Sequence, residues 1–186
     1  MVSQAGTESI SEKSPKASTA TDLAINTDRL DLAALSLDHA EVLFPILADA
    51  SLYQYTGGSP PASVDALRKV YALQEARRSP DGVEIWLNWV VTVRHSDEVI
   101  GYVQATIRGE HADVAWVIGS TWQGHGYATE ASLGMVAWLH QQGLQDIKAS
   151  IHPGHEASKN VAIKAGFRQT GQKDDGEDIW KHSKLR

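Results

Sequence analysis

The sequence predicts one mixed α/β domain of the α+β kind, built on a mostly antiparallel, twisted sheet flanked by helices. Three observations carry this: two helical stretches come first, three hairpin-linked strands follow, and a strand, a glycine loop and a helix then stand in direct succession. With 186 residues, 42% hydrophobic and 22% charged, the chain is long enough for one well-buried core and too short for two.

Residues 1–25 stand apart. They are rich in Ser, Thr, Ala, Lys and Glu, and their apolar residues are too few and scattered for a signal-peptide core, so they read as a disordered tail ahead of a domain at 26–186. Residues 29–35 alternate loosely, as a first strand does. Ser36 then takes a capping position before a helix whose buried face is Leu43, Ile46 and Leu47. Gly and Pro make 53–61 a loop, and Ser63 opens a second helix running to about residue 78.

Strands fill the middle of the chain. Residues 84–94 are rich in Trp and Val, 95–98 form a turn, and 99–107 alternate apolar with polar residues; a second turn at 108–112 leads to a third strand at 113–118. A helix over 129–142 follows, with Leu133, Val136, Ala137 and His140 at the spacing of a buried face, and Gly143 stops it. At the end of the chain, 167–171 and 177–182 pair as a hairpin around a turn at 173–176, with Trp180 pointing inward.

Composition limits the function. A net charge of −6 and a pI near 5.7, with no Lys/Arg-rich run, argue against a nucleic-acid partner. Without cysteine there is no disulfide framework, thiolate nucleophile or zinc–cysteine site, which fits a cytoplasmic protein. No 18-residue apolar run is present to span a membrane. His152 and His155 lack a carboxylate at a third-ligand position, so no metal is expected.

The stretch Trp122-Gln-Gly-His-Gly-Tyr-Ala-Thr-Glu-Ala131 sets two glycines between the third strand and a helix. Helix N-termini expose unpaired N–H groups and a positive dipole end, and glycines let an anion approach them without meeting a Cβ. Two glycines alone also suit a plain tight turn. Gly-x-x-x-x-Gly-Lys-Ser/Thr is absent, and Gly124-His-Gly126 lacks the third glycine of the dinucleotide fingerprint.

Gln123-Gly-His-Gly126-Tyr-Ala128 resembles the (Gln/Arg)-x-x-Gly-x-(Gly/Ala) motif with which the GNAT superfamily of acetyl-CoA-dependent N-acetyltransferases holds a pyrophosphate. Asp113-Val-Ala-Trp-Val-Ile118 is similar to that family's fourth strand, and Ala157-Ser-Lys-Asn-Val-Ala-Ile-Lys-Ala-Gly-Phe167 to its later helix. Three motifs in order are more specific than one, and the resemblance is closest to the branch that acetylates ribosomal-protein N-termini.

The resemblance implies two splayed parallel strands, the second being 146–151, with the arm of acetyl-CoA between them. It assigns cofactor contacts to the backbone of Trp116, Val117 and Ile118, to Gln123, Gly124, His125, Gly126, Tyr127 and Ala128, and to His155 and Asn160. His155 stands where relatives usually carry asparagine. The Trp116 ring itself is expected in the core.

Transfer to an amine needs a path for the amine's proton and a proton for the departing thiolate. By resemblance Asp113 takes the first role, with Glu110 and His111 as reserve bases, and Ser158 the second, since Ala162 stands where other branches place a tyrosine. An acidic residue at a strand edge and a serine at a helix start are as often plain solvated or capping groups.

The implied acceptor groove offers Tyr53, Tyr55 and Trp86 as walls and Asp49, Asp174 and Asp175 as anions, which suits an amine-bearing small molecule or a protein N-terminus. A polyamine, an amino sugar and an amine antibiotic satisfy it equally. The alternative from another class is an acetyl-CoA-binding sensor without turnover. No nucleic acid or membrane partner is expected, and the protein is expected to be a monomer or homodimer.

Overall fold

The computed structural model of the chain describes residues 21–182. Residues 1–20 of the compositional tail, and 183–186 at the other end, lie outside the described residues. Residues 21–25 do not behave as a tail: Leu23 and Ile25 are buried in the core, and the Leu23 carbonyl accepts a 2.7 Å hydrogen bond from the Trp89 indole. Two apolar side chains that fill the core outweigh the polar composition around them.

Ile25–Asn26 (β1) and Leu30–Ala34 (β2) pair antiparallel. Ser36 caps a 3-10 turn at Leu37–His39 that leads into Ala40–Leu47 (α1), which buries Leu43, Ile46 and Leu47 as predicted. Val64–Glu75 (α2) starts at Ser63, whose hydroxyl accepts from the Ala66 N–H at 3.1 Å. Ile85–Val93 (β3), Glu98–Arg108 (β4) and His111–Ile118 (β5) form the antiparallel run the alternation indicates.

Tyr127–Gln141 (α3) then crosses to Asp146–Ile151 (β6), and Glu156–Lys164 (α4) to the hairpin of Phe167–Asp174 (β7) and Glu177–His182 (β8). Strand order in the single sheet is β1-β2-β3-β4-β5-β6-β8-β7, and only β5 and β6 are parallel. One apolar cluster, with Trp89, Met135, Leu139, Ile147 and Phe167, packs α3 and α4 on one face; a second, with Leu43, Leu67, Tyr71 and Val90, packs α1 and α2 on the other. Among the described residues no helix is long and apolar enough to cross a membrane.

The face of α3 differs from the predicted one. Leu133 is 46% exposed and Ala137 is exposed too, whereas Ala131, Met135, Val136, Trp138 and Leu139 are buried. The helix is apolar on more than one side, and its bulkiest residues, Trp138 and Met135, decide which stripe meets the sheet.

Two features of the sheet shape the site. β5 and β6 pair through only three rungs, His111 with Asp146, Ala112 with Ile147 and Asp113 with Lys148, and beyond them the strands part. In β4 the register slips at Ile100, and Gly101 (φ 154°) lies so close to β5 that a Cβ there would stand 2.1 Å from the Val117 carbonyl oxygen. A glycine is thus required to seat the end of β5.

Candidate active site

Gly124 (φ 80°) and Gly126 (φ 82°) put the loop before α3 in the left-handed region. A Cβ at Gly124 would meet nothing within 4 Å, so the backbone there is open. None of the N–H groups of residues 124–129 donates to another described residue, and the first intrahelical bond runs from the Glu130 N–H to the Gly126 carbonyl. Six consecutive free donors at the start of a 15-residue helix make an anion-binding nest.

The loop's side chains fold back and leave that backbone clear. The Gln123 amide donates to the Ile118 carbonyl at 2.9 Å, tying the loop to β5, and His125 Nδ1 lies 2.9 Å from the Gln123 carbonyl. Gln123 and His125 therefore shape the nest through their own loop, while Gly124, Gly126, Tyr127 and Ala128 lend it main chain.

Arg29, read from the sequence only as the start of a strand, arrives here. Its Nε donates to Glu130 at 2.7 Å, its Nη1 to the His125 carbonyl at 3.1 Å, and the guanidinium lies 4.7 Å from the centre of the Tyr127 ring. The Arg29 Nη2 stands 3.5 Å from where a Gly126 Cβ would be. Glu130 also accepts from the Thr27 hydroxyl and the Arg29 N–H. Burial alone would raise its pKa, but these donors outweigh burial and hold it below the usual glutamate range. A carboxylate in the first turn of α3 would repel a bound phosphate; Arg29 neutralises it.

Where β5 and β6 part, a cleft of about 70 Å³ opens, lined by Tyr55, Ala115, Trp116, Ser150, His155, Ser158 and Glu177 among others. The Trp116 ring packs 6.1 Å from Phe167 against the core, as expected, and also borders the cleft. Val117 packs toward α1 and α2, Ile118 is buried, and neither is among the residues that line the cleft.

Ser158 is the third residue of α4, not its cap; it lines the cleft, and its hydroxyl has no partner among the described residues. His155 holds the capping position without a side-chain cap bond. Its ring stacks on Tyr55 at 4.8 Å, and His152 lies 5.3 Å from Tyr55. Burial, then the neighbouring His152, pushes the His155 pKa below the ordinary value, so the imidazole is neutral at pH 7. Asn160 is exposed and does not line the cleft, because it sits two residues past Ser158 on the helix, roughly 200° around.

Asp113 stands at the closed end of the cleft, on the last rung shared with Lys148, and its Oδ2 accepts from Arg108 Nη1 at 2.9 Å. It is not among the residues bordering the cleft. Arg108 also binds Glu84, whose other oxygen accepts from the Trp86 indole at 2.7 Å; the indole first, then Arg108, lower the Glu84 pKa. Glu110 lies exposed in the β4–β5 turn, and His111 pairs with Asp146 below the cleft. Asp174 and Asp175 sit at the exposed tip of the last hairpin, and Asp49 caps a 3-10 turn by accepting from the Ser51 N–H.

A second cavity of about 230 Å³ lies on the same sheet face, under α2, lined by Val70, Leu73, Gln74, Trp86, Asn88, Gln104, Ala105 and Thr106. Strand register arranges this face in rows: Trp86, Thr106 and Asp113; then Asn88, Gln104 and Ala115; then Val90, Tyr102 and Val117. The middle row runs from under α2 straight to the cleft.

A family model described as the acetyltransferase (GNAT) domain matches residues 29–168, and the chain belongs to that family. Its members are N-acetyltransferases with acetyl-CoA as cosubstrate, and the open nest and splayed strands fit that molecule. No curated protein matches the sequence. Among solved structures, RimJ of Mycobacterium smegmatis in complex with CoA-disulfide is 18% identical with a TM-score of 0.70, covering 83% of this chain and 82% of that one. The ribosomal-protein-S5-alanine acetyltransferase of Vibrio fischeri is 18% identical with a TM-score of 0.69, covering 87% and 96%. The aminoglycoside acetyltransferase AAC(6')-Ib, in complex with paromomycin and acetyl-CoA, is 17% identical with a TM-score of 0.69, covering 84% and 94%. At these identities the likeness is one of fold.

Proposed function

We propose that the protein moves the acetyl group of acetyl-CoA directly to a primary amine, of a small molecule or of a protein N-terminus. The observation that carries this is the run of six N–H groups at 124–129 that donate to no described residue, set beside a strand whose edge beyond Asp113 has no strand partner among the described residues. The nest offers donors to a diphosphate, and the free edge at 114–118 offers main-chain groups to the amides of the pantetheine arm.

Around the cleft, Ser158 presents a hydroxyl, without a partner among the described residues, that can give a hydrogen bond to the departing sulfur. Two groups flank the path of the amine's proton. Asp113, whose carboxylate accepts from Arg108, receives the proton through water; the neutral His155 imidazole borders the cleft itself. Glu177 is the carboxylate on the cleft wall, suited to drawing in an ammonium group.

The test is thiol release from acetyl-CoA across a panel of amines, N-terminal peptides and aminoglycosides. Release that depends on acceptor is the expected result. Tight binding of acetyl-CoA with no acceptor-dependent release from any member would instead mark a sensor.

A further inference from the structure

The middle row of the sheet face carries two carboxamides in a place where the fold gives them nothing to bind. Asn88 is 9% exposed, borders the cavity under α2, and its side chain makes no hydrogen bond to any described residue. Gln104, directly across on β4, borders the same cavity and is likewise unpartnered. Gln104 is half-buried, and both amides open onto the cavity rather than into the core, so their donors and acceptors are available to whatever occupies it.

Geometry ties these amides to the cleft. Gln104 pairs with Ala115, which lines the cleft where the acetyl group is to be delivered. Adjacent strands lie about 4.8 Å apart, so Gln104 stands about 5 Å, and Asn88 about 10 Å, from the Ala115 position. An extended peptide advances at most about 3.6 Å per residue. With a terminal amine over Ala115, the first or second amide beyond it lies over Gln104 and the third over Asn88.

Charge around this path is spent elsewhere. Glu84 and Asp113 are both bound to Arg108, and Asp49 is engaged by Ser51; none of the three borders the cavity. The cavity walls are apolar or neutral: Val70, Leu73, Trp86 and Thr106 beside the two amides. Glu177 on the cleft offers a carboxylate for one ammonium and nothing for a second. A polycation would find no anionic wall here.

We propose that Asn88 and Gln104 are the specificity-determining pair, reading the backbone amides of a peptide acceptor whose N-terminal amine enters the cleft. This rests on the acetyltransferase reading above. Each carboxamide both donates and accepts, as a peptide N–H and C=O require.

The experiment compares kcat/KM for Ala-Ala-Ala-amide, butylamine and kanamycin in the wild type, Gln104→Leu, Asn88→Leu and the double variant, with Tm recorded for each. The wild type is expected to favour the peptide over both other acceptors. Each single substitution should lower the peptide-to-butylamine ratio about 5- to 10-fold, the worth of one neutral hydrogen bond. Tm should stay level, because neither amide makes a hydrogen bond to any described residue that the substitution would remove. A wild-type preference for kanamycin or butylamine, an unchanged ratio in the double variant, or a Tm drop of several degrees in both single variants would each overturn the proposal. If acetyl-CoA binds but no acceptor releases thiol, the acetyltransferase reading itself fails, and this proposal with it.

Discussion

Replacing Arg29 by glutamine separates the nest's architecture from its charge. Arg29 makes an ion pair to Glu130 with 47% and 17% side-chain exposure, a bond to the His125 carbonyl and a stacked contact on Tyr127. Partly exposed, the ion pair is worth about 1 kcal/mol or less, the stacked contact about 0.5–1 and the neutral-acceptor bond about 1. Because the three share one guanidinium they do not simply add, and the loss of fold stability should be about 2 kcal/mol, a Tm drop of about 4–8 °C. Affinity should fall by more than architecture explains. A charge-assisted contact from the Arg29 Nη2, which faces Gly126, is lost while the Glu130 carboxylate is uncovered, and together these should weaken acetyl-CoA about 10- to 30-fold. Calorimetry with acetyl-CoA and with S-acetylpantetheine, which lacks the diphosphate, reads the difference. Acetyl-CoA alone should weaken, and Glu130→Gln in the same chain should recover part of the loss. Equal weakening of both ligands, or unchanged acetyl-CoA affinity, would refute the electrostatic reasoning.

Gly101→Ala should be among the most damaging single-methyl changes in the sheet: its Cβ would sit 2.1 Å from the Val117 oxygen, and displacing the end of β5 should cost about 3 kcal/mol by chemical denaturation, with near-normal stability contradicting the packing. Asp113→Asn should lower kcat at neutral pH about 100-fold with acetyl-CoA affinity nearly intact, and higher pH should restore part of the rate by supplying deprotonated amine; a near-normal kcat at every pH would move the proton's path to His155. Stability should decline on acidification below about pH 6.5, the ordinary histidine value. His155 and His182 both have folded pKa values lowered by burial first and a neighbouring histidine second, so the unfolded chain binds protons sooner and the folded state loses ground as pH falls through the folded values. His155→Gln with His182→Gln should flatten that part of a Tm-against-pH curve, and an unchanged curve would show that other groups set it.

Local pattern made the strands, the hairpins and the glycine loop legible, because alternation and turn residues are properties of neighbours in the chain. Helix α3 was legible as a helix but not in its face, since Leu133 and Ala137 fit an apolar stripe as well as Met135 and Trp138 do, and only the sheet beneath decides between them. Ser158 and His155, which the motif singles out, border the cleft, whereas Asn160 on the same helix does not. Tyr55, expected as a groove wall, borders the cleft, whereas Arg29, Glu177, Asn88 and Gln104 carried no local signal. Each of these four reaches the site from a distant element, through strand register or a long-range contact that no short window of sequence contains.

If the backbone of residues 124–129 holds the diphosphate of acetyl-CoA, calorimetric titration of Gly126→Val with acetyl-CoA will register its loss. A β-branched side chain at φ 82° strains the left-handed turn and sets bulk where the anion must approach, on a loop that carries little of the core. Circular dichroism should be unchanged while affinity falls at least about 10-fold, one lost backbone contact or more; Gly124→Val, in the open part of the same loop, should behave alike. Wild-type affinity in both folded variants would mean that the diphosphate binds elsewhere.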